Sequence, residues 1–250
     1  MDIWAACRAA AVPEPLAGEL IRVVESQEQV ATNALVDSLA EQALLEQLLE
    51  ASKPPSAPGT EGLHYLLATP FRYPPLRHGS RFGTRFESSL FYGALGLGAA
   101  LAETAYYRCV FWAGMAAPPP GGRLTTEHTL FGARYAAARG LRLQAPPFDR
   151  FEAELTDPAS YAATQVLGWE LRAAGIQGFE YRSARDPEGG INIALFHPAA
   201  LAGPAPAWQQ PWLCDTRAEG VAFYSKEHGT AWQFSRSLFE VEGELPAPAT

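Results

Sequence analysis

The stretch from Ser88 to Trp112 limits what this chain can fold into more than any other. Ser88-Ser89-Leu90-Phe91-Tyr92 reads as a short buried strand, Gly93, Gly96 and Gly98 punctuate a turn, and Ala99 to Trp112 reads as a helix. That helix is apolar nearly all round, which puts it inside the protein rather than on its surface. Its only charges are Glu103 and Arg108, five residues apart and so not facing each other along the helix. The helical neighbours of Glu103 are Ala99, Ala100, Tyr106 and Tyr107, and none of them neutralises a carboxylate. An unpaired carboxylate on an apolar stripe is costly to bury, so its partner has to come from elsewhere in the fold. A carboxylate placed this way is a functional-site candidate, because its surroundings tune it.

Around this centre the chain divides by composition. Residues 14–52 carry apolar positions at helical spacing: Leu20, Val23 and Val24 suggest one helix, and Leu35, Leu39, Leu44 and Leu48 another, serving packing or partner docking. Lys53 to Gly59 is a linker by its prolines and glycine. The expected organisation is a helical segment and linker over 1–60, a main domain over 61–245 and a Pro-Ala tail over 246–250, expected to be unstructured. Within the main domain His64 to Thr69 looks like a strand, and Phe71 to Pro75 is expected to be irregular because of its prolines. A Pro/Gly loop over 113–122 ends the buried helix. Thr125–Tyr135 and Gly140–Leu143 read as two strands. Asp157-Pro158 supplies an N-cap and a proline at the first helical position, and Gly175 a C-terminal stop. Ile176–Tyr181 and Ile191–Phe196 are strands joined by the loop Ser183 to Gly190, and Val221–Tyr224, Trp232–Phe234 and Leu238–Val241 are further short strands. Strands outnumber helices without a regular βαβα alternation, which favours a mixed α+β fold over a doubly wound one.

A net charge of −8 argues against wholesale nucleic-acid binding, which wants a basic face. It leaves room for an anionic small molecule held by one or two arginines. The three cysteines, Cys7, Cys109 and Cys214, are too few and too scattered for a disulfide framework, and the five histidines form no i, i+4 pair, so no metal site is expected. No signal-peptide pattern or bilayer-length apolar run is present, so the expectation is a soluble cytoplasmic protein with no membrane contact.

The spacing adds a second layer. Arg81 follows Gly79-Ser80, Tyr92 comes eleven residues later, Glu103 eleven after that, and Ser183 sits in Tyr-Arg-Ser-Ala-Arg ahead of a Gly-Gly turn. Gly-Ser-Arg-Phe at 79–82, Leu-Phe-Tyr-Gly-Ala at 90–94, Ala-Leu-Ala-Glu at 100–103 and Tyr-Arg-Ser at 181–183, in that order, resemble the RES domain family over roughly residues 62–200. The chain departs from the family at Gly83, where relatives often carry asparagine.

The resemblance implies an ADP-ribosyltransferase-like α+β fold, with mixed and antiparallel sheets and flanking helices. It also implies an enzyme that degrades NAD as substrate with no further cofactor, acting as the toxin of a toxin–antitoxin pair with an Xre-type antitoxin as partner. A protein target for ADP-ribose transfer is the alternative activity, and a non-catalytic antitoxin-binding module the alternative of another class. A homodimer is left open. On this reading Arg81, Glu103 and Ser183 are catalytic, and Tyr92, Arg85, Arg72 and Asn192 bind substrate, with Arg185 a second-tier candidate. The chemistry is sensible: breaking the nicotinamide–ribose bond develops positive charge on the ribose, which an ionised Glu103 would stabilise. Nicotinamide leaves as a neutral base, so one carboxylate suffices where ordinary glycosidases use two. A dinucleotide-binding oxidoreductase fits less well, because Gly93-x-x-Gly96-x-Gly98 is not G-x-G-x-x-G and position 101 is Leu.

Overall fold

The computed structural model describes residues 2–26, 36–75, 77–225 and 227–248. Its elements, in chain order, are α1 (Ile3–Cys7), β1 (Glu14–Glu25), α2 (Leu39–Ser52), α3 (Tyr65–Arg72), β2 (Phe91–Ala94), α4 (Leu97–Ala113), β3 (Leu124–Arg142), α5 (Glu152–Leu155), α6 (Ala162–Ala173), β4 (Gly178–Arg182), β5 (Ile191–Leu195), β6 (Trp208–Arg217), β7 (Gly220–Ser225) and β8 (Thr230–Ser235). The strands form one mixed sheet in the order β1-β2-β5-β4-β3-β6-β7-β8. Every pairing is antiparallel except β3 with β4. This is the α+β architecture that the strand and helix pattern predicts.

The long strand β3 is the spine. Its first half pairs with β6 and its last residues with β4, while β1 runs along its other side from Glu14 opposite Gly140 to Glu25 opposite His128. Because β1 also meets β2, the strands β1, β2, β5, β4 and β3 close into a ring. The β1–β2 contact is a single register pair, Ile21 with Ala94, so the ring is splayed at that seam.

Several expectations are corrected here. Leu20, Val23 and Val24 lie in strand β1, not a helix: Ile21, Val23 and Val24 are β-branched, and the pairing with β3 satisfies the backbone that a helix would have satisfied internally. The second N-terminal helix is present as α2, capped by Ser38, whose side chain accepts from Glu41 N. It buries none of its residues, and Leu39, Leu44 and Leu48 face solvent, so it does not pack as expected; Leu35 lies outside the described residues. His64 to Thr69 is not a strand: His64 caps α3 through its ring nitrogen, and the helix runs through Pro70 to Arg72. Thr125–Tyr135 and Gly140–Leu143 belong to one continuous strand, because β1 pairs with the residues between them. Asp157 caps a turn rather than the helix itself, its Oδ1 accepting from Ala159 N and Ser160 N, and α6 starts only at Ala162. Leu238 ends in a 3-10 turn over Arg236–Phe239 instead of a strand. The tail is tied down at Pro246, whose carbonyl accepts from Tyr106 Oη.

Three packing sets hold the elements in place. Helix α4 lays Leu101, Ala102, Ala105, Tyr106 and Cys109 against Trp212, Cys214 and Phe223 of β6 and β7. Helix α3 covers Leu16, Leu20, Phe91 and Phe131 with Leu66, Leu67 and Phe71. Helix α6 sets Leu167 and Leu171 against Phe82 and Phe179.

Candidate functional site

Arg81 is positioned by a tight loop. Gly79 adopts φ +76°, a left-handed conformation that disfavours any side chain, and Ser80 N donates to Gly83 O at 2.7 Å. Phe82, next to Arg81, is fully buried edge-on to Phe179 and Tyr181. Its burial contributes on the order of 1.5–3 kcal/mol, which anchors the loop. Gln165 Nε2 on α6 donates to both His78 O and Ser80 O. Helix α6 approaches so closely that a Cβ on Gly168 would stand 1.9 Å from Phe82 O. Tyr92 closes the loop from β2: its hydroxyl accepts from Phe82 N at 3.1 Å and pairs with Ser80 Oγ at 2.8 Å. Burial pushes this phenol up to about 12.

The loop thereby aims a buried guanidinium at a cavity of about 250 Å³ between the β1–β2 seam and α4. Arg81 Nη1 donates to Asp157 O at 2.9 Å and Leu155 O at 3.3 Å, its plane lies 4.6 Å from the Tyr161 ring centre, and its Nη2 is buried without a partner.

Glu103 stands on the α4 wall of the same cavity. Its Oε1 accepts from Ser183 Oγ and from Asn192 Nδ2, each at 2.7 Å. Among the described residues no cation forms an ion pair with it, and both donors take the same oxygen, Oε1. Ser183 is oriented in turn, because its Oγ accepts from Arg185 N at 3.1 Å and Asp186 N at 3.0 Å. With two donors aimed at its oxygen, the hydroxyl proton has Glu103 as its acceptor. Asn192 is buried, and its Oδ1 has no partner. The other charge of α4 is structural: Arg108 binds Glu25 at 2.9 Å and Thr216 Oγ1 at 3.1 Å.

Of the residues singled out from sequence, Arg81, Tyr92, Glu103 and Asn192 line one cavity, with Ser183 directly behind Glu103. Arg72 and Arg85 do not come there. Arg72 is spent on Glu50 and Pro54 O, and Arg85 lies exposed over the Phe86 ring. Arg185 is buried, 3.5 Å from the Tyr106 ring centre, and donates to Pro158 O.

Sequence reasoning missed Arg22, Tyr107, Tyr161 and Tyr181, which also line the cavity. Arg22 crosses the seam, its Nη1 donating to Tyr92 O at 2.5 Å, and burial lowers it to about 10. A single arginine within Leu20-Ile21-Arg22-Val23-Val24 was a readable signal once that run is seen as a partly buried strand. Tyr181 is held well above the ordinary tyrosine range, first by burial and then by the Glu103 charge.

Compared with known proteins, the sequence profile described as "RES domain" matches residues 53–217. The chain belongs to the RES domain family. The matched stretch carries Arg81, Tyr92, Glu103, Ser183 and Asn192, whereas the Ile21–Val23 edge of the cavity precedes it. No curated protein matches the sequence. Among solved structures, the fold of this RES protein is similar to a chain of the M. tuberculosis MbcT–MbcA toxin–antitoxin complex. The TM-score is 0.50 at 14% identity, covering 84% of this chain and 91% of that one. No helix among the described residues is long and apolar enough to cross a membrane.

Proposed function

We propose that this RES protein is the toxin of a toxin–antitoxin pair and that it cleaves the nicotinamide–ribose bond of NAD. The observation that carries the reading is the Glu103 carboxylate, oriented through one oxygen by Ser183 and Asn192, free of any cation among the described residues, and facing a cavity that also holds the partnerless Nη2 of Arg81.

In this arrangement Arg81 and Arg22 are the cations for the pyrophosphate, since neither is neutralised by a carboxylate among the described residues and each keeps a buried nitrogen unpaired. The electron pair of the C1′–N bond leaves with nicotinamide, and the ribose becomes cationic. The Glu103 carboxylate on the cavity wall stabilises the charge because its orientation is set beforehand by Ser183 and Asn192. Addition of water at C1′ and loss of one proton gives ADP-ribose; addition of phosphate gives the corresponding phosphorylated product. The tyrosines at 92, 107, 161 and 181 supply aromatic walls for the planar base. Structural likeness to a chain of a toxin–antitoxin complex supports an antitoxin as the protein partner.

The test is product analysis: purified protein with NAD, with and without phosphate, should release nicotinamide in step with NAD loss. Stable NAD in the presence of folded protein would sink the reading. Expression without the antitoxin should deplete cellular NAD and halt growth, and normal growth with abundant folded protein would count against the toxin assignment.

A further inference from the structure

Strand β8 ends the sheet. All six of its residues pair with β7, and among the described residues nothing pairs with its outer side. Every residue of the strand except Phe234 is exposed. At the other end of the sheet β1 returns to β3 and the ring closes, so β8 has no counterpart there.

An open edge is a template for another strand, and soluble proteins usually block theirs with a lysine, a proline, an inward charge or a bulge. Thr-Ala-Trp-Gln-Phe-Ser carries no charge and no proline, and its register with β7 runs without a bulge. Threonine, tryptophan and phenylalanine all favour a pleated strand. Both β7 and β8 follow residue 217, where the family match ends, so this edge belongs to a part of the chain that the family does not define.

We propose that β8 pairs with β8 of a second copy of this chain, antiparallel about a two-fold axis, joining the two sheets into one. The charge balance selects this occupant. A chain of net charge −8 repels its own copies over much of its surface and attracts basic partners to its carboxylates. The β8 strand offers a basic partner no carboxylate, and it sets no like charges against each other when it meets itself. The side chains match as well. Opposed residues of an antiparallel pair share a face, so the axis passes beside a residue, and the two central registers put it at Trp232 or at Gln233. Trp232 then faces Trp232 of the partner subunit in the first register and Phe234 of the partner subunit in the second, an aromatic pair in both. Trp232 is 38% exposed and already stacks on Phe234 along its own strand, ring centres 6.4 Å apart. A two-fold pairing consumes both edges, so assembly stops at the dimer. Six residues make a short contact beside the roughly 1,200–2,000 Å² of stable interfaces, so the dimer dissociates on dilution.

The test is sedimentation equilibrium on the full chain over roughly 1–100 μM. The mass should rise with concentration from 27.0 kDa towards twice that value. The double variant Ala231→Lys, Gln233→Lys, changed at two exposed positions, sets lysines against each other in either register. It should stay monomeric throughout, with the melting temperature of dilute wild type. Leu44→Glu with Leu48→Glu, on the exposed helix α2, should dimerise as wild type does. A wild type that is monomeric at every concentration overturns the proposal. So does a dimer that survives the two lysines, a dimer lost in the α2 variant, or a species larger than a dimer. If the lysine variant does not fold, hydrogen exchange of the wild type decides. The amides of 230–235 should exchange more slowly at the top of the concentration range than at the bottom, and equal exchange overturns the pairing.

Discussion

Ser183 Oγ donates to Glu103 Oε1 at 2.7 Å, joining a loop after β4 to the middle of α4 across eighty residues of sequence. The bond runs in that direction because the backbone N–H groups of Arg185 and Asp186 already occupy the acceptor side of the hydroxyl. The glutamate is thus partnered by neutral donors alone, which fix its orientation and leave its charge in place.

Replacing Glu103 by Gln keeps the shape and the acceptor for Ser183 but removes the charge. Nicotinamide release should fall on the order of 10²-fold or more, appearing in kcat rather than KM. The melting temperature should stay close to wild type. Undiminished turnover would refute the electrostatic role.

Ser183→Ala removes one donor to Glu103 and strips two N–H groups of their acceptor. The unmet desolvation should cost about 1–3 kcal/mol in urea unfolding, together with a drop in kcat. Loss of stability with full activity would mean that the serine only shapes the loop.

Gly168 separates α6 from the Arg81 loop. A methyl group there meets Phe82 O at 1.9 Å, so Gly168→Ala should destabilise by on the order of 1–3 kcal/mol and weaken NAD binding by moving Arg81. Unfolding midpoints and KM measured on the same preparation check both effects.

Tyr92 is held at about 12 by burial, against an ordinary phenol value near 10. Between these values the unfolded chain has lost the proton that the native state retains, so stability should be flat with respect to this group below pH 10 and decline from pH 10 to 12. Tyr181, also raised by burial, acts in the same sense. The urea midpoint of the Tyr92→Phe variant should fall less steeply over that window than that of the wild type; an identical slope would show that Tyr92 does not contribute.

Local chemistry made much of the chain readable. The apolar run over 99–112 has no stable place except a buried helix, and α4 is that helix, with Glu103 and Arg108 its only charges. The order of Gly-Ser-Arg-Phe, the Tyr92 strand, Glu103 and Tyr-Arg-Ser identified the family that the profile match shows. The sequence by itself could not decide the secondary structure of Leu20–Val24 or His64–Thr69. Short apolar runs suit either period, and the choice was made by β3 offering a ladder to one and by the His64 cap on the other. Nor could it tell spent arginines from free ones. Arg72 and Arg81 differ only in what the fold sets beside them: the Glu50 carboxylate in one case, backbone carbonyls and an aromatic ring in the other. Whether a charge is neutralised depends on contacts between residues far apart in sequence, and those exist only once the chain has folded.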